Sequence, residues 1–156
     1  MSVEYPYLAA SFRLEIDTLT AVDFAECTGL SVDVGVEEYL EGGENRFPHR
    51  FPSRMSTPNL VLKRGATTDR SLWDWFEEYV QTKSGQMRPL DGQVLLLAAN
   101  GGTEGPLTAV RGWSFRRGWP VKITGPDFNA MSAAVAIESL EIAHHGLSLI
   151  LPRRAS

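Results

Sequence analysis

Apolar and polar residues alternate along several short stretches of the chain. Residues 11–16 read SFRLEI, with every second side chain apolar, and residues 31–37 repeat the pattern with Val32, Val34 and Val36. A period of two is typical of a strand that buries one face, so we predict that these three valines point into the core. Further alternating or continuously apolar runs predict four more strands, at residues 58–64, 93–99, 107–119 and 133–145.

The last of these predicted strands changes phase along its length. Val135 and Ile137 have one parity, whereas Leu140 and Ile142 have the other. The change falls at Glu138 and the residue after it. It predicts a β-bulge, or a strand that passes from one packing partner to another.

One helix is predicted at residues 68–82. Thr68 and Asp69 are both suitable N-caps at its start. At about 100° per residue, the apolar side chains fall within an arc of roughly 160°, and charged residues fill the opposite side. The predicted core face of this helix consists of Leu72, Trp73, Trp75, Phe76, Tyr79 and Val80.

These elements together predict a mainly β fold. Short strands separated by glycine-containing turns, with one flanking amphipathic α-helix, indicate an antiparallel β-barrel or β-sandwich. The length of 156 residues suits one domain. We expect this domain to span residues 1–156, with short flexible termini at about 1–8 and 152–156. Between residues 37 and 58 alternation is absent, which predicts a long extended loop.

The loop sequence EYLEGGENRFPHRFPSR, residues 38–54, combines glycines, arginines, a histidine and carboxylates. A phosphate-binding loop leads into a helix N-terminus, but here prolines follow, and Glu41 and Glu44 would repel phosphate. Phenylalanines interleaved with arginines suit either stacking on single-stranded nucleic acid or a protein contact. The acidic flank and the net charge of −4 favour the protein contact.

Candidate catalytic and metal-binding residues are few. Cys27 is the one cysteine of the sequence, which excludes an internal disulfide and a multi-cysteine zinc site. His144 and His145 are adjacent, so on a strand they would point to opposite faces and could not easily share a metal. We therefore predict no enzyme activity, no metal site and no cofactor. Two alternatives stay open: a barrel that binds a small ligand or peptide, and an enzyme that uses His144 or His145 as a base.

Five stretches in order resemble one protein family. They are ECTGL (26–30), EEYLEGGEN (37–45), NLVLKRG with LWDWF (59–65 and 72–76), GWPVKITGPDFNA (118–130) and VAIESLEIAHHGL (135–147). Together they resemble the tail tube proteins of contractile phages and of related contractile injection systems. His145 departs from the family pattern, in which an acidic residue commonly precedes Gly-Leu.

The resemblance implies a structural role without catalytic residues. Such subunits form hexameric rings by joining neighbouring sheets, and the rings stack into a hollow tube that sheath contraction drives through a target envelope. The implied partners are identical subunits, a contractile sheath protein, baseplate and tube-terminator proteins, and luminal cargo protein or DNA. A tube paralogue that forms the first rings on the baseplate has the same motifs and is an alternative. The resemblance also implies assembly in the bacterial cytoplasm, as part of a phage tail or of a phage-tail-like particle that can be released from the cell.

In this family the long segment reaches toward the adjacent ring. The corresponding residues of this chain form the expected ring-stacking interface, namely Glu41, Gly42, Gly43, Glu44, Asn45, Arg46, Phe47, His49, Arg50 and Arg54. No membrane anchor is expected, because the longest apolar run, residues 94–99, is far shorter than the roughly 20 residues that span a bilayer.

Overall fold

The computed structural model describes residues 11–17, 19–40, 42–43, 47–81, 88–99, 106–131 and 134–151. The two predicted flexible termini lie outside the described residues. The elements in chain order are β1 (Ser11–Ile16), β2 (Leu19–Phe24), β3 (Glu26–Thr28), β4 (Asp33–Tyr39), β5 (His49–Ser56), β6 (Leu60–Gly65), α1 (Ser71–Gln81), β7 (Leu90–Ala99), β8 (Leu107–Thr124), β9 (Ile137–Ala143) and β10 (Leu147–Ile150).

The strands form two packed sheets that share the long strand β8. The order is β2-β1-β7-β8-β9-β6-β3, with β10 also paired to β8, and all pairs are antiparallel. The first part of β8 pairs with β7 and β10, and its last part pairs with β9. At the opposite side the chain passes from β2 to β3 through Ala25, whose N–H donates to the Lys63 carbonyl at 2.9 Å. Because β2 and β3 are the two ends of the strand order, the architecture is a sandwich and not a closed barrel.

The core lies between the two sheets and under the helix. It contains inward side chains from both sheets together with Leu72 and Trp75 of α1, which packs against β8 and β2. The fully buried residues include Leu14, Phe24, Leu60, Leu62, Val94, Phe115, Leu140 and Ile142. The predicted mainly β, antiparallel fold with one flanking helix is therefore confirmed.

Strands β4 and β5 form a separate two-stranded sheet. The prediction that Val32, Val34 and Val36 point into the core is wrong, since these side chains are 45%, 54% and 58% exposed. They alternate because β4 is a strand, but this strand projects as a hairpin and does not cover the sandwich. Residues 49–56, for which no alternation was found, form the second strand of this hairpin.

The predicted bulge in β9 is also wrong. The pairing of β6 with β9 is continuous, from Leu60 opposite Ile142 to Gly65 opposite Ile137. Glu138 has the same parity as the core residues of β9 and is itself buried. The change of phase in the sequence therefore marks a buried charged residue. The irregular pairing lies on β8, between Pro120 and Lys122.

Helix α1 begins at Ser71, close to the predicted start at residue 68. The Asp69 carboxylate accepts hydrogen bonds from the Ser71 N–H at 3.0 Å and the Ser71 hydroxyl at 2.8 Å, as a capping residue does. Leu72 and Trp75 are buried, and the half-buried residues of the predicted face are Trp73, Phe76 and Tyr79.

Val80 does not belong to the buried face of α1, because its side chain is 56% exposed. The side chains at positions 72, 75, 76 and 79 lie within about 100° of one another, and Val80 lies about 90° from their centre. Trp73 lies on the same flank of the helix as Val80, but its longer side chain is half-buried, whereas that of Val80 is exposed.

Candidate assembly surfaces

The β4–β5 hairpin is attached to the sandwich at Gly29. This glycine has a φ of 91°, and a Cβ at this position would lie 2.1 Å from the Asn59 carbonyl oxygen. Only glycine fits both the left-handed backbone and the close approach. Asn59 in turn donates to Glu141 of β9 at 2.8 Å. The hairpin therefore leaves the sandwich where β6 begins and β9 ends.

One face of the hairpin is apolar and exposed. Val34 is paired with Met55 and Val36 with Pro52, and residues opposite each other in an antiparallel pair lie on the same face. Met55 is 69% exposed. Hereafter Val34, Val36, Pro52 and Met55 are called the hairpin face. The other side includes Phe51 and Glu37, the latter accepting a hydrogen bond from Ser53 at 3.4 Å.

Charged side chains accompany this apolar face. Arg50 lies opposite Glu38, and the two form an ion pair of 3.3 Å with both side chains more than half exposed. Such a surface pair contributes little to stability. Arg54 is also exposed, and no ion pair joins it to another residue that the structure describes. The hairpin therefore offers apolar area together with an available positive charge.

The expected ring-stacking residues fall on this hairpin where the structure describes them. Gly42 and Gly43 have open space around them, and Phe47, His49, Arg50 and Arg54 are all exposed. Glu41, Glu44, Asn45 and Arg46 lie outside the described residues. The hairpin face was not predicted to be a surface, because its alternating valines have the pattern of a core strand.

A second exposed apolar surface lies between β8 and β9. Phe128 and Met131 are 92% and 95% exposed, and Val135 and Ile137 are also exposed. The Met131 N–H donates to the Asn129 side-chain oxygen at 3.0 Å, which holds a local turn. These four apolar residues are hereafter called the loop face. Large apolar side chains concentrated and exposed in one connection suit an interaction site.

The candidate catalytic histidines are both engaged in packing. The Gly146 N–H donates to His144 Nδ1 at 3.2 Å, and Nε2 lies 3.2 Å from the Pro58 carbonyl, to which it donates in the same tautomer. The His145 ring contacts the Trp119 ring in a tilted arrangement, with centroids 5.4 Å apart and ring planes at 43°. The structure thus does not bring the two histidines together in one site.

Cys27 and the acidic residues form no recognisable reactive site in the described ranges. Burial raises the pKa of the Cys27 thiol to about 12, so the thiol is protonated at neutral pH. Within those ranges, no group of three or more His, Cys, Asp or Glu side chains could hold a metal ion. An open groove beside Ile16 is lined partly by Glu15, Asp17 and Asp91, which differs from an enclosed apolar ligand pocket.

No helix in the part of the chain that the structure describes is long and apolar enough to cross a membrane.

The fold is thus a mainly β sandwich that carries an exposed apolar hairpin at its surface. Residues 8–148 match the family of the T4-like virus tail tube protein gp19, and the chain belongs to this family. The resemblance found in the sequence is therefore confirmed. The chain matches no curated protein sequence.

Solved structures with the same fold come from contractile particles. The chain is similar to a protein in the cryo-EM structure of the anti-feeding prophage cap (AFP tube terminating cap), with a TM-score of 0.77 and 21% identity over 97% of this chain and 95% of that chain. It is similar to a protein of the six-fold symmetrised anti-feeding prophage baseplate, with a TM-score of 0.73 and 22% identity over 96% and 97%. A third similar protein belongs to the PVC sheath-tube complex of an extracellular contractile injection system in the extended state, with a TM-score of 0.74 and 24% identity over 96% and 95%. At these identities the likeness establishes the fold.

Proposed function

We propose that this chain is an inner-tube subunit of a contractile tail or contractile injection system. Six copies form a ring, the rings stack into a hollow tube, and a contracting sheath propels this tube to deliver cargo or DNA. The partners are then the sheath protein, baseplate and tube-terminator proteins, and whatever fills the lumen. The tube is assembled in the bacterial cytoplasm as part of a phage tail or phage-tail-like particle. Membership of the tail tube family supports the proposal.

The exposed β4–β5 hairpin is the structural feature that supports this proposal most strongly. A lone two-stranded hairpin is marginally stable in water, and this one has exposed residues along almost all of both strands. In a monomer, its exposed apolar residues would favour aggregation. Contact with an adjacent ring covers them. The expected ring-stacking residues that the structure describes lie on the same projection.

Strand edges support lateral assembly into a ring. Among the described strands, β10 pairs only with β8, and β3 pairs only with β6. Each of these outer strands therefore has one side available for main-chain pairing with a neighbouring copy. A head-to-tail contact that closes on itself gives a cyclic ring. The two edges lie on different sheets, which suits a head-to-tail contact.

Catalysis has no part in this function. Both ring nitrogens of His144 have backbone partners, and burial keeps the Cys27 thiol protonated. The small-ligand alternative needs an enclosed apolar pocket, which the acidic groove described above does not provide.

A second candidate is the tube-initiator paralogue that forms the first rings on a baseplate. The similarity to a baseplate protein, with a TM-score of 0.73, favours this role about as well as the similarity to the sheath-tube complex favours the main tube. Copy number separates the two. A main tube subunit is present in many rings per particle, and an initiator in one or two.

Charge reversal on the hairpin tests the stacking role. Arg50→Glu with Arg54→Glu should leave rings intact and shorten the stacks seen by negative-stain electron microscopy, since both side chains are exposed. Arg70→Glu on the helix is the matched control, because Arg70 is exposed but lies away from the hairpin. Full-length tubes from the hairpin variant would contradict a stacking role for these arginines.

A further inference from the structure

The hairpin and the loop face lie at opposite ends of one strand pair. The hairpin joins the sandwich at Leu60, which lies opposite Ile142, and the loop joins β9 at Ile137, which lies opposite Gly65. Five residue steps of a strand separate these two ends, or about 17 Å. The hairpin face and the loop face therefore lie at opposite poles of this strand pair.

Hydrogen bonds and strand pairing hold both surfaces at their poles. The Ala66 N–H donates to the Ala136 carbonyl at 2.9 Å, and Thr124 at the end of β8 pairs with Ser139. These contacts keep the β8–β9 connection beside the end of β6. At the other pole, His144 Nε2 contacts the Pro58 carbonyl at 3.2 Å, just before β6 begins. Neither surface can fold back on the other without breaking the strand pairing between them.

The two surfaces are alike in being apolar and exposed. The charged pair on the hairpin face, Arg50 with Glu38, is already satisfied within the hairpin. Contact between the two surfaces would therefore bury mainly apolar area.

Stacking without limit requires two different surfaces. If the hairpin of one ring met the hairpin of the next, the contact would be isologous and would end after two rings. A contact between opposite poles repeats from ring to ring and builds a filament. The hairpin face at one pole and the loop face at the other provide the two different surfaces that such a repeat requires.

We propose that the hairpin face of one subunit docks on the loop face of a subunit in the adjacent ring. The loop face, Phe128, Met131, Val135 and Ile137, is then the acceptor of the stacking arm. This inference rests on the proposed tube function and adds the surface that the arm contacts. Val34, Val36, Pro52 and Met55 supply the hairpin's side of this apolar contact.

Mixing two defective rings tests the proposal directly. The hairpin variant carries Val34→Asp and Val36→Asp, and the loop variant carries Phe128→Asp and Met131→Asp. All four side chains are exposed, so circular dichroism should report an unchanged fold. Each variant alone should give single rings by negative-stain microscopy. An equal mixture should give two-ring stacks and nothing longer, because one intact hairpin face meets one intact loop face.

The control is Val80→Asp, which alters an exposed valine on the helix and should leave long tubes. Several outcomes would overturn the inference: long tubes from the loop variant, loss of its rings, or a mixture that still contains single rings alone. In each of these cases wild-type tubes would still support the proposed function. If the wild-type chain forms no rings at all, the proposed function itself fails.

Discussion

Arg64 and Glu138 lie directly opposite each other on β6 and β9 and form an almost fully buried ion pair. The Arg64 guanidinium also donates to the Asp69 carboxylate at 3.2 Å and lies 5.9 Å from the centre of the Phe24 ring. Because Asp69 caps α1, this one arginine connects a strand pair of the sandwich to the start of the helix.

Removing one partner of this pair should be costly. Glu138→Ala leaves the Arg64 charge buried without its closest partner, and we expect a loss of about 3–5 kcal/mol in the free energy of unfolding. Asp23→Ala breaks the exposed Arg13–Asp23 pair, of 2.7 Å, and should cost no more than about 1 kcal/mol. Urea denaturation of both variants makes the comparison. Equal losses would mean that Arg64 finds other partners or solvent.

The sequence predicted the regular parts of the fold well and the special parts poorly. Alternating or continuously apolar runs located β1 and β6 to β9, and apolar spacing located α1, because most of their side chains obey the simple rule of apolar inside. Strands β2, β3 and β10 were not predicted, although β2 supplies Val22 and Phe24 to the core. Glu138 breaks that rule. Its carboxylate is buried because Arg64 stands opposite on another strand, and pairing between distant segments cannot be read from one local window.

The hairpin gives a second case in which a local sequence pattern does not determine what buries a residue. Val34 and Val36 alternate as core residues do, yet they are exposed in the single chain. If the proposed stacking is right, a second copy covers them. Periodicity reports that a face is buried but not by which chain. Pro52 within β5 and Pro48 just before it obscured the strand, since proline is tolerated only in strands without a full set of backbone partners.

The stability of the protein should fall in acid through Asp69. The Ser71 N–H, the Ser71 hydroxyl and Arg64 hold the pKa of the Asp69 carboxyl below its usual value. The ionised form therefore stabilises the folded state above the unfolded pKa of about 4, and this stabilisation is lost as the pH falls through the lower folded value. Asp69→Asn keeps a capping side chain but does not titrate. The difference in unfolding free energy between wild type and variant should be constant from about pH 5 to 7 and shrink below about pH 4. A difference that stays the same down to pH 2 would contradict this account.

Substitution of Gly29 should disturb the junction between the β4–β5 hairpin and the sandwich. Gly29→Ala adds a Cβ that would lie 2.1 Å from the Asn59 carbonyl oxygen, at a φ of 91°. Strained backbone of this kind costs about 1–3 kcal/mol before any steric clash is counted. Gly146→Ala, with open space at the Cβ position, is the control and should be nearly neutral. Thermal unfolding followed by circular dichroism measures both, and equal melting temperatures would show that the backbone relaxes at Gly29.

Two residues of α1 should respond very differently to truncation. Trp75 is 7% exposed and lies in the core, so Trp75→Ala should cost about 3–5 kcal/mol. Val80 is 56% exposed, so Val80→Ala should change stability by less than about 0.5 kcal/mol. Chemical denaturation of both variants tests the corrected helix face. A large loss of unfolding free energy for Val80→Ala in a monomeric sample would show that Val80 belongs to the buried face of α1.

The most direct test of the tube assignment is the mass and shape of the purified wild-type protein as its concentration is raised. Mass photometry should find a species of about 100 kDa, six times the 17.2 kDa chain. Electron microscopy of the same sample should show rings that stack into hollow tubes. A chain that stays monomeric at every concentration, and that no sheath or baseplate partner causes to assemble, would contradict the account.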